Sequence, residues 1–265
     1  MSESDVVLVS TEGAVGVLTI NRPDKFNCIS RAVIDGFDQG LTAFEKNADI
    51  RAVVLCGAGK YFCTGADLAE VNGIRKDPKQ MSAFTERFHT VLRRFEQSPL
   101  PVIAAVQGLC LAGGLETVMS CDIVFAGENA RIGDQHAQYG LIPGGGNTQR
   151  IPRIVGRRRA LDLMFTGRWL DAAEALDWGL VNYVVPDAEV KDRAVEYGAK
   201  LANLSANATT VMKKLVDDGL DMPLWDSLLL EAREAAAGLA HPDVDEGLDA
   251  FLNKREPKYG PRDVG

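Results

Sequence analysis

Apolar residues recur along the chain in two rhythms, short continuous runs and stripes spaced three or four apart, and the two alternate. Val6 to Val9 and Val15 to Ile20 are β-branched runs around Thr11-Glu12-Gly13, which predicts a hairpin. Ser30 precedes a stripe of Val33, Ile34, Phe37, Leu41 and Phe44, so a capped helix is expected, followed by a buried strand from Ala52 to Cys56 that stops at Gly57. The unit repeats. Met81, Phe84, Phe88, Val91, Leu92 and Phe95 mark one helical face, and Pro101 to Val106 is an apolar strand closed by Gly108. Further strands are expected at Ile123 to Ala126 and Leu180 to Val185. Strands separated by helices argue for an α/β architecture with largely parallel pairing.

After about residue 188 the strand rhythm stops. Ala208, Val211, Met212 and Leu215 share a helical face, Leu224 to Leu239 is a second helix, and Pro242 opens a third along Val244, Leu248, Phe251 and Leu252. The division expected is an α/β core over residues 1–200 and an all-helical region over 201–265.

Composition narrows the classes. The 265 residues are 46% apolar and 25% charged, enough to bury a core and too apolar for disorder. With 29 basic against 37 acidic residues the net charge is −8, and the densest basic cluster is Arg157-Arg158-Arg159, so neither nucleic acid nor an anionic membrane is an expected partner. The opening Met-Ser-Glu-Ser-Asp lacks the features of a signal peptide. Five cysteines with no Cys-x-x-Cys pair read as reduced, buried thiols of a cytoplasmic protein. His89, His136 and His241 are too scattered to predict a metal site.

Ten of the 26 glycines fall between Gly108 and Gly156, a concentration that points to tight backbone. No dinucleotide, phosphate-loop, nucleophile-elbow or zinc-protease motif accounts for them. Two strand-to-turn segments remain, one ending in Thr64-Gly65-Ala66-Asp67-Leu68 and the other in Leu111-Ala112-Gly113-Gly114-Leu115-Glu116. Each ends where a helix can start. Two helix starts facing each other would present free N–H groups to a developing oxyanion, Gly113 and Gly114 would admit a ligand, and Glu116 would point at it.

At this point a family resemblance becomes specific. Asn21-Arg22-Pro23-Asp24-Lys25-Phe26-Asn27, Gly65-Ala66-Asp67-Leu68, Pro101 to Gly108, Gly113-Gly114-Leu115-Glu116, Cys121-Asp122-Ile123, Gly140-Leu141-Ile142-Pro143-Gly144-Gly145-Gly146 and Gly167-Arg168 to Gly179-Leu180-Val181 stand in the chain in that order. In order and spacing they resemble the enoyl-CoA hydratase/isomerase (crotonase) family, from about residue 5 to Tyr259. The resemblance implies a ββα spiral core with a C-terminal helical trimerisation region, a homotrimer or dimer of trimers, acyl-CoA thioester substrates and no cofactor beyond the coenzyme A they carry. It assigns the oxyanion-hole amides to Ala66 and Gly113 and the first of two catalytic glutamates to Glu116. Substrate and coenzyme contacts are implied at Arg22, Lys25, Phe26, Ala66, Asp67, Leu68 and Gly114, and at Lys258 reaching over from a neighbouring subunit.

Two departures stand out. Counting back from Gly140-Leu141-Ile142-Pro143, the family's second glutamate is replaced by His136. A histidine titrating near its ordinary value of about 6.5 can still pass a proton, as a neutral acceptor where a carboxylate would be charged. Ala112 replaces a third glycine, narrowing the turn by a methyl group. Plainer roles are open to several residues: Asp67 as a helix-start carboxylate, Asp134 as a loop cap, Asp171 with Glu174 as a capping box, Cys63 and Cys110 as packing. The leading expectation is reversible hydration of a 2-enoyl-CoA by Glu116 with help from His136. Double-bond isomerisation, hydrolytic cleavage of a β-dicarbonyl acyl-CoA, and a non-catalytic CoA- or RNA-binding scaffold are its alternatives.

Overall fold

Val15–Ile20, Ala52–Gly57 and Val102–Val106 are buried along almost their whole lengths because they lie between two layers of helix. Alternate side chains feed two cores. Leu18, Val53, Leu55, Val102 and Ala104 face a large cluster built with Phe37, Phe88 and Phe95, while Val17, Ala52, Val54, Ile103 and Ala105 face a smaller one with Val190 and Ala194. Strands covered on both faces show continuous apolar runs rather than strict alternation.

The structure, a computed structural model, describes residues 6–264; the opening segment read for a signal peptide lies outside them. The hairpin is β1 (Val7–Glu12) with β2 (Val15–Ile20), and Ser30 accepts from the Val33 N–H to start α1 (Arg31–Glu45). Next come β3 (Ala52–Gly57), α2 (Leu68–Ile74), α3 (Pro78–Gln97), β4 (Val102–Val106), β5 (Leu109–Leu111), α4 (Gly113–Val118), β6 (Ile123–Gly127) and β7 (Arg131–Gly133). They are followed by α5 (Asn147–Val155), α6 (Arg157–Thr166), β8 (Leu170–Asp171), α7 (Ala172–Asp177), β9 (Tyr183–Val185), α8 (Val190–Leu201), α9 (Ala206–Leu220), α10 (Leu224–Gly238) and α11 (Pro242–Leu252).

One sheet runs β1-β2-β3-β4-β6-β9, parallel except for the hairpin, and a second runs β5-β7-β8. Two bridges, Ile29 with Ala66 and Cys63 with Cys110, continue the second ladder beyond its strands. Each long strand is thus followed by a short extended piece across the sheet's end and then a helix, which is the repeated strand, strand, helix turn. The short pieces matter most here. They bring the start of α4 beside Ala66.

The strand expected from Leu180 is shorter, because the Asn182 side chain takes the Val124 N–H and regular pairing starts only at Tyr183. Asp171 does cap α7 through the Glu174 N–H, but the expected return bond is absent: the Glu174 carboxylate is held by Arg168 instead. The three C-terminal helices are anchored rather than buried. Lys213 of α9 binds Asp122 and the carbonyls of Phe95 and Leu100, and buried Arg262 donates to the carbonyls that end α1. No helix among the described residues is long and apolar enough to cross a membrane.

Candidate active site

The Ala66 amide is freed by the way its neighbours pair. In the bridge to Ile29, Gly65 O accepts from the Ile29 N–H and the Asp67 N–H donates to Ile29 O, so the Ala66 N–H between them points away from the ladder. Gly113 is the first residue of α4, where an amide has no acceptor in its own helix. The two face each other closely: a Cβ on Gly113 would lie 3.3 Å from the Ala66 nitrogen, and a Cβ on Gly65 would lie 3.5 Å from the Gly113 nitrogen. Among the described residues neither N–H has a partner.

The expectation of two opposed helix starts is half right. α2 begins two residues after Ala66, and its own cap is Asp67, whose carboxylate takes the Ala69 and Glu70 amides. Only α4 turns a helix N-terminus toward the gap. The turn into α4 also corrects the reading of Ala112, which adopts φ 47° and ψ −114°, a conformation that L side chains rarely occupy. The third glycine of the family pattern answers a backbone requirement as well as a space requirement.

Both amides line a cavity of about 120 Å³ that also contains Glu116 and His136. Its other walls are mostly apolar, from Ile29, Leu68, Val71, Met81, Phe84, Phe88, Leu141 and Ile142, with Thr85, Gly144 and Gly145 completing them. Glu116 is 3% exposed. Its Oε1 accepts the Gly145 N–H at 2.6 Å and the Asn147 N–H at 3.5 Å, which leaves Oε2 without a donor among the described residues. The glycine loop is held in turn by Arg150, which donates to Gly145 O and is anchored on Glu96 of α3 at 2.5 Å. Burial pushes the Glu116 carboxyl above its ordinary value; the nearby His136 and the two amides offset that only in part.

Across the cavity, His136 is clamped by a residue that the sequence reading gave only a capping role. Asp134, 1% exposed, does accept the His136 N–H, but both of its oxygens also lie 3.0–3.1 Å from His136 Nδ1. Asn147 Nδ2 donates to Asp134 Oδ2 at 2.8 Å. Burial works against a charged ring, yet the bond and charge of Asp134, with Glu116 beyond, outweigh it and hold His136 above its ordinary value. Asp134 is correspondingly held below the ordinary carboxylate range, its own burial overcome by His136 and Asn147. Position 136, expected to be a neutral acceptor near an ordinary histidine value, is instead biased toward its charged form by Asp134 and Glu116.

The expected coenzyme contacts divide. Phe26 is exposed and packs beside Tyr61, Lys25 ends the preceding 3₁₀ turn, and Leu68 lies half in the cavity wall and half in solvent. Arg22 and Asp67 are spent on each other at 2.8 Å, with Arg22 also donating to Cys28 O, so their charges are already paired. Gly114 turns away from the cavity: a side chain there would strike the Cys63 carbonyl, so this glycine serves backbone packing rather than ligand approach. Lys258 is exposed beyond α11, away from the cavity lining, with its N–H on Glu246. Cys63 and Cys110 are fully buried, and burial pushes the Cys63 thiol up to about 12, consistent with packing roles. No group of three or more His, Cys, Asp or Glu side chains among the described residues could hold a metal ion.

Comparison with known proteins places nearly the whole chain in a family. The model of the family described as enoyl-CoA hydratase/isomerase matches residues 10–262. A short-chain-enoyl-CoA hydratase of Clostridium acetobutylicum is 35% identical over 260 residues, covering 96% of this chain and 97% of its own. A "probable enoyl-CoA hydratase" of Rhizobium meliloti is 36% identical over 255 residues, covering 96% and 98%. The crystal structure of an enoyl-CoA hydratase from Bacillus anthracis superposes with a TM-score of 0.92 at 35% identity, covering 96% of this chain and 99% of that one. The expected spiral fold is borne out by that likeness.

Proposed function

The chain belongs to the enoyl-CoA hydratase/isomerase (crotonase) family, and from that premise we propose that it catalyses the reversible addition of water to the double bond of a 2-enoyl-CoA. The observation that carries the reading is the convergence of Glu116 with two unpaired amides, Ala66 and Gly113, in one mostly apolar cavity.

Addition of water at the β-carbon drives negative charge onto the thioester oxygen. Two fixed amides meet that charge without having to reorganise, and removing one such donor costs on the order of 10²–10³ in rate. Glu116, pinned through Oε1, takes a proton from water at Oε2 as the new carbon–oxygen bond forms. His136, as imidazolium, gives a proton to the α-carbon as the enolate collapses. A proton passing from Glu116 back to His136 restores both groups, and dehydration runs the same steps in reverse. Amides meet the charge and two side chains move the protons, so the proposed chemistry uses neither metal nor redox cofactor.

The coenzyme is read as lying along Lys25, Phe26 and Leu68, with Lys258 supplied by a neighbouring subunit. A trimer, or a pair of trimers, held by residues 201–265 belongs to the same proposal. It is supported by Leu220, Leu224, Trp225, Phe251 and Leu252, all of them exposed, too much apolar surface for these helices to be left without a partner. Five free thiols support a cytoplasmic setting.

Incubation with a panel of enoyl-CoAs in heavy-oxygen water tests the reaction. One labelled oxygen in an intact 3-hydroxyacyl-CoA is the expected outcome. An unlabelled shifted double bond, or a chain cut between carbons, as the sole product would replace hydration with isomerisation or hydrolysis.

A further inference from the structure

We infer that Asp134 and Asn147 are positioning residues that turn His136 into a fixed proton donor and tie its place to that of Glu116; this rests on the hydration reading above. Asp134 occupies Nδ1 with both oxygens, so Nε2 is the ring nitrogen without a protein partner among the described residues, and His136 lines the cavity. An acidic partner on one ring nitrogen sets the tautomer and stabilises the charged ring. The charged groups facing the ring are Asp134 on its own segment and Glu116 on α4.

Asn147 joins the two sides. Its N–H faces Glu116 Oε1, while its side-chain amide donates to Asp134 Oδ2. The Asn147 Oδ1 is buried and has no partner among the described residues. An orphaned buried acceptor is costly, and rotating the amide would only set that oxygen against the Asp134 carboxylate. The amide is thus held one way round by an ionised Asp134. One residue at the start of α5 thereby registers the base against the acid, at a separation that a loop alone would not fix.

Two measurements test this. In the wild-type protein labelled with ¹⁵N-histidine, the His136 ring is expected to titrate above an ordinary histidine, with Nδ1 keeping its proton when the ring is neutral. In Asp134→Asn its titration should fall by a unit or more. A wild-type ring that titrates at or below an ordinary histidine overturns the inference without any variant having to fold. In turnover, Asp134→Asn should lower kcat about 10²-fold, leave KM within about threefold, and move the alkaline limb of the pH profile to lower pH. Asn147→Ala should do the same to a smaller extent.

The decisive comparison is with His136→Glu. There Asp134 would face a second carboxylate, so adding Asp134→Asn should raise activity above that of the single variant. If Asp134→Asn instead lowers activity equally in both backgrounds, Asp134 merely holds the loop and the inference falls. Absence of hydration from a wild-type protein whose His136 titrates as expected removes the hydration reading and leaves the ring's geometry standing.

Discussion

Gly145 donates its N–H to Glu116 Oε1 at 2.6 Å, and the same glycine leaves no room for a side chain, since a Cβ there would lie 2.5 Å from Glu116 Oε2 and 2.5 Å from Phe88 Cε1. The residue that grips the carboxylate also shapes the space in which it works. Gly145→Ala is therefore expected to push Glu116 or the loop aside. Displacing a reacting group by about 1 Å costs on the order of 100-fold in rate, and overpacking costs about 1–3 kcal/mol. Steady-state kinetics and a melting curve check both. Full activity in the alanine variant would show that the grip is dispensable.

Ala112 carries strain of order 1–3 kcal/mol by its φ and ψ, which glycine would relieve at the expense of a more flexible unfolded chain. Relief should dominate. Ala112→Gly is expected to raise the melting temperature by a few degrees while leaving the Gly113 amide in place and kcat nearly unchanged. A lower melting temperature would mean that the alanine methyl packs better than its backbone is strained.

Much of the fold is legible because its periodicity is written in large apolar side chains, as in α1, α3 and the strands β2 to β4. α8 is not. It covers the second core face with Val190, Ala194 and Gly198, and the last lies so close to Val15 and Ala52 that a Cβ would come within 3.1–3.2 Å. Its stripe of Val190, Ala194, Tyr197 and Leu201 is fainter than those of α1 and α3, because the small residues Ala194 and Gly198 interrupt it and Lys191, Asp192, Arg193 and Glu196 surround it. The strands β5, β7 and β8 are only two or three residues long, too short to carry any period. At the site, Glu116 and His136 are found through motif spacing, whereas Asp134 and Asn147 become partners only when the glycine loop folds back. The one local signal was an acidic residue two positions before the histidine, and it reads equally well as a turn cap.

Arg22 and Asp67 link the segment before α1 to the start of α2. Burial would raise the Asp67 carboxyl, but Arg22 and the Glu70 amide outweigh it and hold the folded value below the ordinary one. Its stabilisation is therefore complete above the unfolded value of about 3.9 and is lost as pH falls through the folded value. Asp67→Asn should lower the melting temperature at pH 7, with the gap to wild type closing below about pH 4. A gap that stays constant across that range would assign Asp67 no ionic role.

The Ala66 side chain is incidental to the proposed hole; its nitrogen is not. Ala66→Ser should be tolerated, while Ala66→Pro deletes the donor and should cost on the order of 100-fold or more in kcat. Circular dichroism and oligomer size establish that the proline variant is folded. Equal activity in that folded variant would remove Ala66 from the hole.

Glu116 should reveal its role through opposite effects on stability and rate. Burial raises its folded pKa, so the ionised form is penalised in the folded state: the penalty is absent below the unfolded value of about 4.3 and complete once pH exceeds the folded value. Glu116→Gln keeps an oxygen that can accept from Gly145 and removes the buried charge. It should therefore melt at a higher temperature than wild type at pH 8, with the advantage shrinking toward pH 4. The same change removes the base, so kcat should fall by about 10²–10⁴ while binding of an acyl-CoA product barely changes. A carboxylate placed only to complement the start of α4 would behave otherwise, because its loss would weaken the fold and leave the chemistry intact. Measuring melting temperature and kcat on one preparation across that pH range separates the two roles.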